Sequence, residues 1–427
     1  MEKISRKKDI EKLHNQFFAS CPKGMEGILE KELLNLGIKK IHVEGAGVSF
    51  EASNADPLRV IFHSRIASRV YKKLFHFRIR SEEDLYLFGK EIKWKSVILP
   101  TQSFKINCVL GTSPELKHSI FRSPIFLAQK LKDSIADWYL AETGSRPNVE
   151  RQNTDVSLLL HIHPSDNAHA TREEATILVD LCGTPMSHRG YRAPDAPAPL
   201  RENLAAAIIL STNWKPHEDI LVDPMCGTGT LLIEAALIAA AIPPSYLRIL
   251  KRFESGRAQW AFELMPLFMK DAFLVKFFDE SIKTLAGEIE GKITRLRDRA
   301  SRRPFLFGSD IDPKSVEQFQ HHLRVTKLGK TICVSNADAL KLLPPGPPPG
   351  IVVCNPPYGE RLAAEIEDLE ALYYGFGENL KKNYKGFRAY VFTGNPSLRK
   401  KISLQTSERI PFFNGSIECR LLKYDLF

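Results

Sequence analysis

The chain of 427 residues is basic, with 60 lysines and arginines against 50 aspartates and glutamates and a net charge of +10 at pH 7. Its 43% of hydrophobic residues suffices for two or three folded domains, and no apolar stretch approaches the length of a membrane span. Seven cysteines without a Cys-x-x-Cys pair argue against a disulfide framework or structural zinc, and the charged start lacks the apolar segment of a secretory signal. We therefore expect a cytoplasmic protein whose positive charge suits a polyanionic partner.

Residues 15–70 are predicted to form a small α+β unit. Short alternating apolar stretches predict strands, and apolar residues spaced three and four apart predict two helices. The predicted elements are a strand at 17–19, a helix at 24–36, strands at 41–43 and 48–50, and a helix that runs from 57 through 70.

Residues 71–185 are predicted to continue as a second α+β unit. A helix at 125–140 is expected to place Trp138 on the same apolar face as Leu131 and Ile135. Strands are predicted at 74–79, 103–109, 156–162 and 175–181.

This second unit also contains basic residues and histidines that invite a functional interpretation. The basic side chains, Lys117 and Arg122 among them, form either an RNA-binding surface or a solvated one. His161, His163 and His169 suggest a metal site, but no cysteine or carboxylate stands at ligand spacing from them, so we expect no metal.

The stretch 186–200 is predicted to be a linker. It starts with His188–Arg192 and continues with alternating proline and alanine, a composition typical of a hinge. We therefore expect a catalytic domain over 201–427.

The first strong signal in that domain is an apolar strand at 220–222 followed by a glycine-bearing loop. Glycine permits the backbone that a tight strand-to-helix turn needs, and the first turn of the next helix would offer free N–H groups to an anion. Leu232 stands where a dinucleotide fingerprint has its third glycine, and the lysine of a Walker loop is missing. We predict a cofactor loop whose contacts come from Asp223, Pro224, Cys226, Gly227, Gly229 and Thr230.

Residues 243–303 are predicted to be a mostly helical insertion that ends in an arginine cluster. These arginines either bind phosphate or form a solvated helix face. They are Arg295, Arg297, Arg299, Arg302 and Arg303.

A further strand, at 305–310, ends in an acid. Asp310 is predicted to accept hydrogen bonds from ribose hydroxyls, as acids at this place do in α/β sheets. Asp312, which precedes Pro313, is predicted to cap the following helix.

The second strong signal is Asn355–Tyr358, directly after an apolar strand at 351–354. Two consecutive prolines, Pro356 and Pro357, stop the strand and remove two N–H donors, so that the Asn355 side-chain oxygen and the Pro356 carbonyl remain as acceptors. Two such acceptors suit the N–H groups of an exocyclic amine, and the Tyr358 ring suits a stacked base. We predict a substrate clamp formed by Asn355, Pro356, Pro357 and Tyr358, with Asn355 also in contact with the cofactor.

Two cysteines in or beside these loops are candidate nucleophiles. Cys226 and Cys354 lack the Pro-Cys context of cytosine-C5 methylation, so we interpret both as packing residues.

The two loops, the second extended by Gly359-Glu360-Arg361, together resemble the class I S-adenosylmethionine-dependent methyltransferases that carry a THUMP RNA-binding domain. Within this family the chain is similar to the N-terminal enzyme half of the bacterial 23S ribosomal RNA guanine-N2 methyltransferases. Further matching motifs at 18–26, 145–149 and 188–192 extend the likeness over nearly the whole chain.

The resemblance implies a fold. A ferredoxin-like domain over 15–70 and a THUMP domain over 71–185 would precede the linker and an α/β Rossmann-like methyltransferase domain over 201–427. That domain would hold a seven-stranded, mostly parallel sheet ending in an antiparallel hairpin, which Asn414-Gly415 between two strand-like stretches independently indicates.

The resemblance also implies a reaction. S-adenosylmethionine would be the cofactor, with Asp338 accepting from its adenine amine, and the methyl group would pass to the N2 amine of a guanine in 23S ribosomal RNA. The target nucleotide would be single-stranded or flipped out. Many members of the family carry a second methyltransferase, and because the sequence ends at Phe427 we expect this chain to be without it.

Three alternatives stay open at this stage. A tRNA guanine-N2 methyltransferase has the same domain plan, and DNA adenine-N6 methylation uses the same clamp. A non-catalytic RNA-binding or ribosome-assembly protein is the third, although intact acids at Asp223, Asp310 and Asp338 argue against it.

Overall fold

The computed structural model describes residues 10–53, 55–111, 123–150, 152, 154–164, 173–192, 200–358 and 363–427. It contains two sheets, one built by the first 180 residues and one by residues 220–425. Lys117, Arg122 and His169, singled out above, lie outside the described residues. Among the described helices, none combines the length and the hydropathy that crossing a bilayer requires.

The first sheet joins both predicted α+β units. Its order is β3-β4-β2-β5-β9-β8-β6-β7, and β1 pairs with β5. The strands are β1 (Ile10–Lys12), β2 (Gln16–Ser20), β3 (Lys40–Glu44), β4 (Gly47–Glu51), β5 (Arg69–Ile79), β6 (Ser103–Leu110), β7 (Asn148–Val149), β8 (Val156–Pro164) and β9 (Glu173–Asp180). The helices are α1 (Glu26–Asn35), α2 (Asp56–His63), α3 (Glu82–Glu91) and α4 (Pro124–Thr143).

One detail of the predicted first half is wrong, and the structure refines another. The helix predicted through residue 70 ends at His63, because Ser64 adopts extended backbone and Arg69 pairs with Ser20 as the first residue of β5. On α4, Leu131 and Ile135 are buried as predicted, and Trp138 packs against the core while partly exposed. The fully buried residue at the end of this face is Tyr139.

The second sheet has seven strands in the order β12-β11-β10-β13-β14-β16-β15. Pairs among β10 to β14 are parallel, and the last two strands form an antiparallel hairpin, which confirms the predicted fold class. The strands are β10 (Ile220–Asp223), β11 (Leu306–Asp310), β12 (Cys333–Asn336), β13 (Gly350–Cys354), β14 (Phe387–Thr393), β15 (Glu408–Asn414) and β16 (Ile417–Asp425).

Helices connect the strands of this second sheet, and residues 243–303 are mostly helical. The glycine-bearing loop at residues 223–230, which we call the glycine loop, leads into an apolar helix that is buried almost throughout. The helices are α5 (Glu202–Leu210), α6 (Thr230–Ala239), α7 (Tyr246–Ser255), α8 (Pro266–Met269), α9 (Ala272–Arg302), α10 (Pro313–Val325), α11 (Ala363–Asn383) and α12 (Leu398–Lys401).

The helical insertion packs on the first half through an aromatic cluster. The ring of Phe62, near the end of α2, lies 5.4 Å from Trp260 and 6.0 Å from Phe278 between ring centroids. Edge-to-face arrangements, as between Phe62 and Trp260, add to the energy of burying large apolar surfaces. The insertion therefore stabilises the contact between the two halves.

The predicted linker 186–200 is not an exposed hinge over its first seven residues, which corrects our expectation; residues 193–199 lie outside the described part. Arg189 is only 2% exposed, and its guanidinium forms an ion pair with Glu234 of α6 at 3.0 Å. Arg192 donates to the hydroxyl of Thr230, the first residue of α6. The composition indicated flexibility, but buried charge pairing holds this segment in place.

Arg65 continues this junction from the first half. Its backbone carbonyl accepts a hydrogen bond from Arg189 at 2.8 Å. Its guanidinium donates to the carbonyls of Leu237 and Ile242, at and just after the end of α6, at 3.2 and 2.7 Å. Because buried carbonyls without partners are costly, these bonds fix the end of α6 against the first half.

Candidate active site

A cavity of about 760 Å³ opens at the carboxyl edge of the second sheet, where β10, β11 and β13 end. Its volume lies within the range of small-molecule sites. Eleven of the predicted site residues line it: Asp223, Pro224, Cys226, Gly227, Thr230, Asp310, Asp338, Asn355, Pro356, Pro357 and Tyr358.

The glycine loop is held in shape by hydrogen bonds inside the protein. The amide of Met225 donates to Asp223 Oδ1 at 3.2 Å, and the amide of Cys226 donates to the Ser309 carbonyl at 2.9 Å. The amide of Gly227 donates to Asp310 Oδ2 at 2.7 Å, which ties the loop to the end of β11. The loop is therefore preorganised by its neighbouring strand.

The two glycines of the loop have different surroundings. Gly227 has a φ of +51°, and a Cβ built on it would meet no atom within 4 Å. Gly229 has a φ of +84°, and a Cβ there would stand 2.0 Å from the Phe319 ring. Gly227 therefore lines open space in the cavity, whereas Gly229 lies off the cavity wall and permits the close approach of α10.

The three predicted acids stand around the cavity with different degrees of exposure. Asp223 is 1% exposed, and burial raises the pKa of its carboxyl well above the usual range, with the nearby Asp310 adding to the rise. Asp310 is half-buried, and its second oxygen, Oδ1, accepts from the amide of Asp312 at 3.0 Å. Asp338 Oδ1 accepts from the amide of Leu340 at 2.9 Å. Each carboxylate oxygen can accept a further bond, so the acids retain capacity for a ligand.

Asp312 behaves as predicted, outside the site. Its carboxylate accepts from the amides of Lys314 and Ser315, both at 3.1 Å, and caps α10. The sequence thus distinguished Asp312, an acid that caps a helix, from Asp310, a cavity acid two residues earlier.

On the other side of the cavity, Asn355 presents a buried acceptor. Its Oδ1 is buried and accepts no hydrogen bond from any residue in the described ranges. Pro356 is buried beside it, and Pro357 is exposed. Buried polar atoms are nearly always bonded, so this oxygen indicates a place where a ligand donor belongs.

Tyr358 is held by its hydroxyl group. Asn414, at the end of β15, donates from Nδ2 to the Tyr358 hydroxyl at 3.1 Å, and the Cys419 thiol lies 3.9 Å from the same oxygen. The ring stands edge-on to Phe392 at 6.3 Å between centroids. Burial raises the pKa of Tyr358 to about 12, so the group stays neutral and its ring remains available as an apolar surface.

Neither cysteine of the two loops is suited to nucleophilic attack. Burial raises the pKa of the thiols of Cys226 and Cys354 far above the usual range, and the neighbouring Asp223 raises both further. Because the thiolate is the nucleophile, both side chains are inert packing groups at neutral pH.

Sequence reasoning missed part of the cavity wall. Asp368 and Leu372 contribute from α11, four residues apart on one helix face, and Asn414 contributes from the terminal hairpin. No local motif marked Asp368 or Leu372, and the Asn414-Gly415 motif indicated a hairpin and not a cavity wall, because all three reach the site through the packing of distant elements. The remaining wall residues not predicted are Leu200, Met225, Thr228, Leu231, Ile311, Ala339 and Leu369.

The histidines of the first sheet have partners that their sequence spacing did not reveal. Among the described residues, His76, His163 and Glu174 bring one potential metal-ligand atom each within 4.8 Å of one another. Both imidazoles lie within hydrogen-bond distance of Thr176 Oγ1, at 3.1 and 3.2 Å, and Arg78 stands 3.4 Å from Glu174. The polar groups of this cluster thus contact one another.

Three descriptions of known protein families match the chain in order. "RlmL ferredoxin-like domain" matches residues 16–71, "THUMP domain" matches 80–166, and "RMKL-like, methyltransferase domain" matches 189–423. The last match spans more than half of the chain. The chain belongs to the RMKL-like methyltransferase family.

Relatives of this methyltransferase include two proteins named "Ribosomal RNA large subunit methyltransferase K/L". The protein from Syntrophotalea carbinolica is 33% identical over 96% of this chain, and that from Cellvibrio japonicus is 34% identical over 96%. The chain spans about half the length of these relatives, 53% and 51%. A Synechocystis protein named "Putative RNA methyltransferase slr0064" is 32% identical, and the match covers 97% of its length.

Solved structures share the fold of this methyltransferase. The crystal structure of SMU.472 complexed with SAH matches with a TM-score of 0.75 and 23% identity, over 98% of this chain and 99% of that one. TrmN from Thermus thermophilus matches with a TM-score of 0.64 and 17% identity, over 97% of this chain and 100% of that one. The likeness covers both halves of the molecule.

Proposed function

We propose that this protein transfers a methyl group from S-adenosylmethionine to the exocyclic N2 amine of a guanine in large-subunit ribosomal RNA. One observation supports the proposal above all: the glycine loop and Asn355, whose buried Oδ1 accepts no hydrogen bond within the described ranges, line a single cavity of about 760 Å³. Donor and acceptor of a methyl group need this arrangement, because direct transfer requires both in one enclosed space.

The residues on the cofactor side fit S-adenosylmethionine. Open space beside Gly227 leaves room for a ligand against the loop backbone. Asp310, at the end of β11, is placed for ribose hydroxyls, and Asp338 for the adenine amine. When bound, the cofactor supplies a methyl group on a positively charged sulfur, and the carboxylates of Asp310 and Asp338 favour that charge.

The residues on the substrate side orient an amine. Asn355 Oδ1 accepts one N–H group of the guanine N2 amine, and the Pro356 carbonyl accepts the other, which fixes the direction of the nitrogen lone pair. Tyr358 stacks on the base, and Asn414 keeps its hydroxyl in place. Positioning of this kind supplies effective molarities of about 10⁵–10⁸ M in well-oriented reactions.

The choice of RNA over DNA rests on the domain plan and on the relatives. A THUMP match precedes the methyltransferase match, and two relatives carry ribosomal RNA in their names. We propose a division into a ferredoxin-like part (15–70), a THUMP part (71–185), a linker (186–200) and a methyltransferase part (201–427). Strand β5 (Arg69–Ile79) crosses the division between the first two parts. We also propose that the protein acts in the cytoplasm, where ribosomal RNA is found in bacteria.

Purified protein, labelled S-adenosylmethionine and RNA from a strain lacking the gene test this function. We expect N2-methylguanosine to form in large-subunit ribosomal RNA, as measured by nuclease digestion and mass spectrometry. Transfer RNA and genomic DNA from the same strain serve as parallel substrates. Label in transfer RNA alone, or N6-methyladenine in DNA, would replace the proposed substrate, and binding of RNA without any transfer would support a non-catalytic role.

A further inference from the structure

A second cavity, of about 440 Å³, lies at the opposite edge of the methyltransferase sheet. Its wall includes Ile220, the first residue of β10, whereas Asp223, the last residue of that strand, lines the active-site cavity. At about 3.3 Å per residue the two places are roughly 10 Å apart along the strand. The second cavity is therefore separate from the site of methyl transfer.

Four arginines from the end of α9 and just beyond it line this second cavity, which we call the arginine cavity. The guanidinium of Arg299 lies 3.8 Å over the Phe305 ring and donates to the Pro216 carbonyl. A guanidinium has five N–H donors, so this fixed group retains most of its donors for a ligand. The other three are Arg295, Arg302 and Arg303, all exposed.

Two of the carboxylates in the same wall are already paired with other cations. Asp219 forms an ion pair with Arg388 at 2.7 Å, and Glu218 forms one with Lys215 at 2.9 Å. The third carboxylate of the wall, Asp298, forms no ion pair within the described ranges, so one unpaired carboxylate stands against four arginines. The arginine cavity therefore keeps an excess of positive charge.

The arginines themselves are crowded together. Within the described ranges, Arg295, Arg302 and Arg303 form no ion pair with a carboxylate. Burial lowers the pKa of Arg299, and the charge of Arg303 lowers it further. The dipole of a helix favours cations only within its last turn, so it does not account for Arg295, which lies seven residues before the end of α9. An anion would relieve this repulsion.

We propose that the arginine cavity binds phosphate groups of the RNA backbone and holds the substrate at a second place remote from the methylated nucleotide. This inference rests on the RNA substrate proposed above. Arginine binds phosphate oxygens in pairs through its planar fork, which makes it the side chain best suited to this ligand. Such contacts position an RNA without reading its sequence.

The test measures equilibrium binding of a labelled stem-loop RNA, long enough to reach both cavities, over a range of salt concentrations. Any such RNA serves, because the phosphate contribution is independent of sequence. Arg302→Gln with Arg303→Gln should lower the slope of log K against log salt by roughly 1.4–1.8, the value for two lost phosphate contacts. At low salt we expect binding to weaken by roughly tenfold or more.

A matched variant removes the same charge elsewhere on the helical insertion. Arg257→Gln with Lys283→Gln changes two exposed cations outside the cavity wall and should leave the slope unchanged. Arg295→Gln, about two turns earlier on α9, provides an independent measurement and should lower the slope by roughly 0.7–0.9.

The outcomes separate this inference from the proposed function. If the wild type binds the RNA and all variants share its slope, the assignment of the arginine cavity is overturned while the function stands. If the wild type binds no RNA, the proposed function itself fails. ADP serves as a probe for free phosphate groups, and thermal denaturation measures its binding. The assignment to RNA is overturned if ADP stabilises the wild type but not the double arginine variant while the salt dependence of RNA binding is the same in both. The cavity would then be assigned to a free nucleotide.

Discussion

Residues 223–230 and 355–358 face one cavity, but their polar groups are satisfied to different degrees. The amides of Met225, Cys226 and Gly227 all donate to acceptors within the protein, so these bonds of the first loop form without a ligand. In the second loop the buried Oδ1 of Asn355 accepts nothing from the described residues. The first loop thus obtains its shape from bonds within the fold, whereas the second leaves one buried acceptor without a partner among the described residues.

The comparison predicts the largest effect for Asn355→Ala. Removing the amine acceptor should lower kcat by about 10²–10³-fold, the range for deleting one oriented polar group at a reacting centre. Binding of S-adenosylmethionine, measured by calorimetry, should change little because the glycine loop is untouched. Asn355→Asp keeps an acceptor oxygen and should be clearly more active than the alanine variant. Equal activity of the two would show that the oxygen does not hold the amine.

The glycine loop should respond to substitution mainly through stability. In Gly229→Ala the added methyl group collides with Phe319 and the positive φ adds strain, so we expect the methyltransferase domain to lose roughly 2–5 kcal/mol of unfolding free energy. Gly227→Ala introduces backbone strain without a collision, so the free energy of unfolding should fall by only roughly 1–2 kcal/mol. Its added methyl group enters the space proposed for the cofactor and should weaken the binding of S-adenosylmethionine. Chemical denaturation and calorimetry measure the two effects. A larger stability loss in Gly227→Ala than in Gly229→Ala would contradict this division of roles.

On the substrate side, the ring and the hydroxyl of Tyr358 can be separated. Loss of a stacked base in Tyr358→Ala should lower kcat/KM by roughly 5–150-fold, corresponding to about 1–3 kcal/mol. Tyr358→Phe removes the bond from Asn414 but keeps the ring, and a fall of roughly 2–10-fold is expected. The measurement is a steady-state assay on the RNA substrate. A phenylalanine variant as impaired as the alanine variant would give the hydroxyl the leading role.

The smallest effect concerns the buried acid of the glycine loop and depends on pH. Burial raises the pKa of Asp223 in the folded protein, so its contribution to stability is present below the unfolded value of about 3.9 and is lost as pH rises through the folded-state pKa. The neutral Asp223→Asn should therefore raise the melting temperature by roughly 2–4 °C at neutral pH, with the gain vanishing towards about pH 4. Thermal denaturation without cofactor at several pH values measures this. A gain that does not depend on pH would exclude the ionised carboxylate as its cause.

Sequence predicted both loops correctly as loops because their signals are local. The first loop follows from an apolar strand, an acid and two glycines, and the second from an apolar strand and two prolines. Each set lies within ten residues and determines the local course of the backbone. Sequence could not foresee that Gly229 accommodates Phe319 or that Asn414 bonds Tyr358, since 90 and 56 residues separate these partners. Such contacts depend on how helices and hairpins pack after the sheet has formed.

The same distinction applies to the histidines of the first half and to the junction. His163 and Glu174 are cross-strand neighbours, and His76 lies on a strand that joins them from a distant part of the chain. Residues 188–192 looked like a hinge by composition, but Arg189 found a buried partner in Glu234, 45 residues further on. Periodicity and composition carry no information about pairings of this range.

The junction around α6 (Thr230–Ala239) has a mechanical consequence. Its first residue belongs to the glycine loop and is held by Arg192, while the carbonyls at its far end are held by Arg65. A rotation of the amino-terminal half would therefore pull on the very helix that shapes the donor side of the cavity. Both ends of α6 are thus tied by arginines that precede the methyltransferase sheet in the chain.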